Sequence, residues 1–247
     1  MGGGRPRLRA RSAVARVLLV VLVLLVPACS SSEPAGGKPS PSPSPSPSAA
    51  PSPSPSALAA PVGPVVDWGA IPPSVDLGGG WSVGDCGGTG PFLCVRRAGR
   101  NVGVVELSTF PVDSFTIPAF RDAVAKRDTT GALSALANDL YSSVRKDRAT
   151  ICGAGYSLDA LPPKAATVSG GPGIRYGFTG RNAGKVVESQ ESYSTLRDGR
   201  VVIQSASAFA LDGCMVAEAG ELTPQQLAEF SPLFERLAAS SKLPPPR

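Results

Sequence analysis

Hydrophobic and polar positions divide the chain into a short apolar run near the N-terminus, a long polar tract, and a region of short periodic segments that continues to the C-terminal end. The run Val17 to Val26 is unbroken but only ten residues long. That is well short of the roughly 20 needed to cross a bilayer as a helix, so it reads as the core of a signal peptide. In the periodic region, Trp81-Ser-Val83, Phe92-Leu-Cys-Val95 and Val102 to Phe110 predict three short strands, the last two joined across Ala98-Gly99. A helical stretch follows, first around Phe120 and Val124 and then from Thr130 to about Arg148. There Leu133, Leu136, Leu140 and Val144 recur on one face.

A second strand group comes next. Ile174, Tyr176 and Phe178 alternate with Arg175, Gly177 and Thr179, giving one buried and one wet face. Val186 to Leu196 and Val201 to Ala210 flank Asp198-Gly199, a strong short hairpin signal. Within the last strand Ser205, Ala206, Ser207 and Ala208 are unusually small, which either lets a helix pack close or leaves a groove on the sheet. These four residues are the candidate ligand groove. At the end, Thr223-Pro224-Gln225-Gln226 carries a helix start, with a Thr cap, Pro at the first helical position and Gln placed for a capping box. Leu227, Phe230, Phe234 and Leu237 continue it as one apolar face, and Ser231-Pro232 predicts a kink or a restart capped by Ser231.

The polar tract adds a location. Arg5, Arg7, Arg9, Arg11 and Arg16 precede the apolar run, and Pro27-Ala28 leads directly to Cys29. Val26-Pro27-Ala28-Cys29 resembles the bacterial lipoprotein box, with Pro27 as a departure from its usual pattern. The expectation is an acylated Cys29 and a chain held on the extracytoplasmic face of the cell membrane. The competing reading is ordinary cleavage after Ala28, which would release a soluble protein with an odd cysteine. Ser30-Ser31-Ser32 and the Pro-Ser repeat from Pro39 to Ser56 cannot bury a core and favour an extended shape. Residues 30–64 reach about 100 Å at a polyproline rise of about 3.1 Å per residue. The expected organisation is a signal at 1–28, a lipidated cysteine and tether at 29–64, and one globular domain at 65–247.

Charge then removes a class of partners. The chain has 24 Lys and Arg against 19 Asp and Glu, a formal charge of +5. The five signal arginines account for all of that excess, so the mature chain is balanced and offers no general attraction for nucleic acid. Arg96, Arg97 and Arg100, and Arg145, Lys146 and Arg148, read as solvated surface.

Four cysteines remain in the domain, Cys86, Cys94, Cys152 and Cys214, and an even number in an exported chain predicts disulfides. Three pairings are open. Proximity favours Cys86 with Cys94, which leaves Cys152 with Cys214. No Cys-x-x-Cys occurs and the chain contains no histidine, so neither a metal site nor a cofactor is expected.

The missing histidine also excludes Ser-His-Asp and Cys-His catalysis. Gly180 to Val186 looks like a phosphate loop but is one residue short and has Val where Ser or Thr should hold the metal, so it reads as a hairpin turn. Ser143-Val-Arg-Lys146 matches Ser-x-x-Lys without the motifs that accompany it. Glu188 and Glu191 fall on a strand, where exposed charges are the ordinary explanation and paired catalytic carboxylates the sharper one.

The expected fold class is α+β, an antiparallel sheet flanked by helices and carrying two disulfides. The element order, with Phe230-Ser-Pro-Leu-Phe-Glu-Arg-Leu-Ala-Ala-Ser-Ser241 after the Asp198-Gly199 hairpin, resembles the Mog1/PsbP-like fold of actinobacterial envelope lipoproteins, an α/β/α sandwich. The resemblance covers roughly Trp81 to Leu243 and rests on element order. The four cysteines and the glycine-rich opening depart from it. It implies a non-catalytic accessory or binding role, with no catalytic residues to transfer. The expected function is therefore a membrane-anchored module for an envelope lipid, glycan or protein partner. The alternatives are a scaffolding lipoprotein without a small ligand, or a carboxylate- or serine-dependent hydrolase.

Overall fold

The computed structural model describes residues 66–87, 92–210, 214 and 221–244. The signal, Cys29 and the tether lie outside them. Eight strands form one antiparallel sheet: β1 (Val75–Gly78), β2 (Trp81–Asp85), β3 (Phe92–Arg97), β4 (Arg100–Pro111), β5 (Tyr156–Val168), β6 (Gly171–Asn182), β7 (Lys185–Arg197) and β8 (Arg200–Phe209). Their order is β1-β2-β3-β4-β8-β7-β6-β5, so two four-strand meanders meet where β4 pairs with β8. Between the meanders run α1 (Pro118–Ala125) and α2 (Thr129–Cys152), and the described chain ends with α3 (Pro224–Ser240).

Local chemistry explains the regularity of the meanders. Four two-residue turns, Ala98-Gly99, Ser169-Gly170, Ala183-Gly184 and Asp198-Gly199, have positive φ at both positions. That twist matches the strands they join, and the second position is glycine each time. The Gly180 to Val186 stretch is the third of these turns, with Arg181 bonded to Asp159 at 2.8 Å.

Helices cover both sheet faces, which makes the fold the expected α/β/α sandwich. On one side α2 packs on β5, β6 and β7, and Phe120, Leu133, Leu136, Val144, Ile174, Tyr176 and Phe178 share a core. On the other, α3 packs on β5, β7 and β8. There Phe230 meets Trp81 at 5.5 Å between ring centroids and Phe234 meets Tyr193 at 5.0 Å. Gly103 sits beneath the entry to α3, where an added Cβ would come within 2.5 Å of the Leu222 side chain.

The disulfides join Cys86 to Cys94 and Cys152 to Cys214, with Cα separations of 5.0 and 5.3 Å. By loop-closure entropy they contribute about 2.5 and about 4 kcal/mol.

Several expectations change. The segment from Tyr156 to Val168 is a strand, although Pro162-Pro163 argues against one locally; β5 is an edge strand with a register shift between Leu161 and Lys164, where proline is tolerated. The short β1 is a further addition. Helix α2 runs on to Cys152. Helix α3 continues through Pro232, so Ser231 is not a cap; its Oγ accepts a bond from Arg175 at 3.0 Å instead. The capping box of Thr223 and Gln226 forms as expected.

Candidate functional site: a polar strip on the open half of the sheet

Alternation along β8 assigns the four small residues to two different surfaces. Ala206 and Ala208 are fully buried with Tyr193, Phe230 and Phe234 beneath α3, so their size serves close helix packing. Ser205 and Ser207 are half-buried and face the other way, toward the α2 side. On that side α2 packs mainly on β5, β6 and β7, and Phe120 of α1 shares a core with Val201 and Phe110 at one end of β8 and β4; Ser205, Ser207 and Glu106 lie farther along those strands, beyond the main helix packing among the described residues.

The register shows what shares this open half. Glu106 on β4 lies directly opposite Ser205 on β8 and opposite Phe92 on β3, while Ser205 in turn faces Ser192 on β7. The next row places Gln190 opposite Ser207. Ser108 and Val104 flank Glu106 on the same strand face, and Val104 is 38% exposed. Toward the shelter of α2 the polar character continues but becomes satisfied. Gln190 donates to Ser192 at 3.0 Å, and Ser194 donates to the Tyr176 hydroxyl at 3.1 Å. Burial pushes the Tyr176 hydroxyl up to about 12.

Glu106 is the exception within the strip. Its Oε1 accepts one bond, from Ser108 at 3.2 Å, and no ion pair to it forms among the described residues. Burial raises its pKa above the ordinary 4.5, and the Ser108 bond offsets only part of that. An ionised carboxylate has about four acceptor positions, so most of its capacity is uncommitted. Nothing in the sequence singled out Glu106; it alternates with Val105 and Leu107, which are buried on the other face, and so reads as an ordinary polar position of a half-buried strand.

Glu188 and Glu191 do not form a catalytic pair. They are three residues apart in a continuous register, so they point to opposite faces of the sheet. Both are buried, which overturns their reading as exposed strand charges. On the α2 side, Glu188 accepts from Tyr156 at 2.9 Å and from Arg148 Nε at 3.1 Å, and Arg148 also pairs with Asp147 at 2.6 Å. On the α3 side, Glu191 accepts from Tyr193 at 2.8 Å and from Arg175 at 2.9 Å. Burial and the adjoining carboxylate push both tyrosine hydroxyls well up, so neither is a base near neutral pH.

Arg148 is thus a structural partner, not solvated surface. Arg96 likewise donates to the Pro73 and Asp85 carbonyls and to Asn101. Arg97 remains exposed, pairs with Glu229 at 2.7 Å and lies over Trp81. Ser143 and Lys146 sit late in α2, with Lys146 exposed. Among the described residues no group of three His, Cys, Asp or Glu gathers to hold a metal.

One cleft lies elsewhere, of about 610 Å³, between α1 and the β7–β8 turn. Val112, Phe120 and Val124 line it, together with Arg121, Arg200, Asp113 and Asp198.

No family model matches the chain, and no curated protein matches it. Among solved structures it is similar to the solution structure of cyanobacterial PsbP (CyanoP) from Synechocystis sp. PCC 6803. The identity is 13%, the match covers 65% of this chain and 85% of that one, and the TM-score is 0.36. The α+β fold class rests on the sheet order and helix layers described above.

Proposed function

We propose that this chain is a cell-envelope lipoprotein, anchored through acylated Cys29 on the extracytoplasmic face of the cell membrane, whose domain is a non-catalytic binding or assembly module. Its partner, an envelope lipid, glycan or protein, docks on the strip formed by Phe92, Glu106, Ser108, Ser205, Ser207 and Gln190. The observation that carries this reading is Glu106, a half-buried carboxylate with one weak partner on a stretch of the sheet beyond the main packing of the described helices. A group held at such a cost without compensation marks a place where stability yields to binding. The non-catalytic part draws support from the opposed orientation of Glu188 and Glu191, each held by its own Arg and Tyr, and from a chain without histidine. The tether gives the domain reach from the membrane into a surrounding wall layer.

The test compares material co-purifying with the detergent-extracted wild type and with the double variant Ser205→Leu, Ser207→Leu. Specific material lost in the variant while its melting temperature holds supports the docking face. Identical recovery from both proteins favours a scaffold without a ligand on this face.

A further inference from the structure

We infer that the ligand of this strip is a saccharide, with its hydroxyls on Glu106 and Ser205 and the apolar face of a sugar ring against Phe92. The inference rests on the strip being the docking face and adds the class of ligand. Three neighbouring strands place Phe92, Glu106 and Ser205 in one cross-strand row. Directly opposed side chains stand about 5 Å apart, so the row spans roughly 10 Å. It presents an aromatic surface, an acceptor-rich carboxylate and a hydroxyl that both donates and accepts. A sugar ring offers the matching set, several O–H donors around an apolar C–H face.

The alternatives fit less of the strip. A metal ion would need several further ligands, and among the described residues no group of three His, Cys, Asp or Glu gathers to hold one. An acyl chain would need a continuous apolar surface, which Glu106, Ser205 and Ser207 interrupt. A lysine or arginine from a partner would answer Glu106 but would leave Phe92, Ser205 and Ser207 without a role.

The probes are a fluorescently labelled N-acetylglucosamine tetramer, a labelled glucose tetramer and an oligolysine peptide, each titrated into the detergent-extracted mature chain at low and high salt. The expected result is saturable binding of at least one saccharide with little salt dependence, since neutral ligands are not screened. Glu106→Gln and Phe92→Ala should each weaken it by about tenfold or more. Asp159→Asn, on the distant edge strand, should leave it unchanged. If Phe92→Ala does not fold, Phe92→Trp keeps a ring and should retain binding.

Absence of saturable binding by both saccharides overturns the inference. Salt-sensitive, Glu106-dependent capture of oligolysine in its place overturns the saccharide while leaving the docking face intact. Saccharide binding that survives Glu106→Gln, Phe92→Ala and the Ser205→Leu, Ser207→Leu pair without change overturns both the ligand assignment and the docking face.

Discussion

Replacing Arg148 by Met should destabilise the domain more than any single surface substitution, because it strands a buried carboxylate. The Glu188 side chain is 3% exposed, and Arg148 Nε lies 3.1 and 3.3 Å from its two oxygens. Without the guanidinium, Glu188 retains, among the described residues, only the Tyr156 hydroxyl at 2.9 Å. Breaking a buried ion pair from one side costs about 3–5 kcal/mol. A domain of this size loses about 2–4 °C of melting temperature per kcal/mol, so the midpoint should fall by roughly 6–20 °C. Glu188→Gln keeps an acceptor for Tyr156 and leaves Arg148 with Asp147, and should cost about 1–2 kcal/mol.

The informative measurement is the double-mutant cycle. Arg148→Met with Glu188→Met removes both charges together and should recover most of the loss, with a coupling of about 2–3 kcal/mol. Urea unfolding followed by tryptophan fluorescence suits the assay, since Trp68 and Trp81 are both buried on the opposite side of the sheet and report global unfolding. A cost for Arg148→Met of under about 0.5 kcal/mol, the range of ordinary surface changes, would refute the burial of this cluster. So would a coupling near zero.

Other predictions follow from the same structure. Ala206→Leu with Ala208→Leu should overpack the α3 core and cost about 1–3 kcal/mol, whereas Ser205→Leu with Ser207→Leu should cost much less; equal losses in thermal melts would mean both faces of β8 are covered. Folding raises the Glu106 pKa, so its contribution to stability is fully present below pH 4.5 and is lost as pH rises through the raised value. Glu106→Gln should therefore melt higher than wild type at neutral pH, with the difference vanishing in acid, and an equal or lower melting point at neutral pH would contradict this. Cys29→Ala should shift the protein from the detergent phase to the aqueous phase, and unchanged partitioning would remove the anchor. Non-reducing peptide mapping should recover Cys152 joined to Cys214, and a Cys86 or Cys94 peptide on either would reject the pairing.

Features that short-range chemistry controls were legible along the chain. Asp198-Gly199 and Ala98-Gly99 supply the positive φ that two-residue hairpins require, Thr223 and Gln226 cap α3, and the alternation at Ile174, Tyr176 and Phe178 marks a half-buried strand. Those signals suffice for three strands of each meander, the helix stripes and the α+β class. The edge strand β5 was hidden because Pro162-Pro163 is forbidden in a central strand and permitted at an edge, and edge position is a property of the whole sheet.

The same limit governs the candidate site. Period-two alternation separates Ser205 and Ser207 from Ala206 and Ala208, but it does not say which pair lies under a helix. That was decided by α3 settling over Ala206 and Ala208 on one face and α2 packing mainly on β5, β6 and β7 on the other. Charge shows the same dependence. Glu188, Glu191 and Glu106 are equally polar in the sequence, yet Arg148 and Arg175 reach the first two and no described cation reaches the third. An ionisable group's environment is set by neighbours distant along the chain, so only the folded arrangement distinguishes two carboxylates paired with arginines from one held by a single hydroxyl.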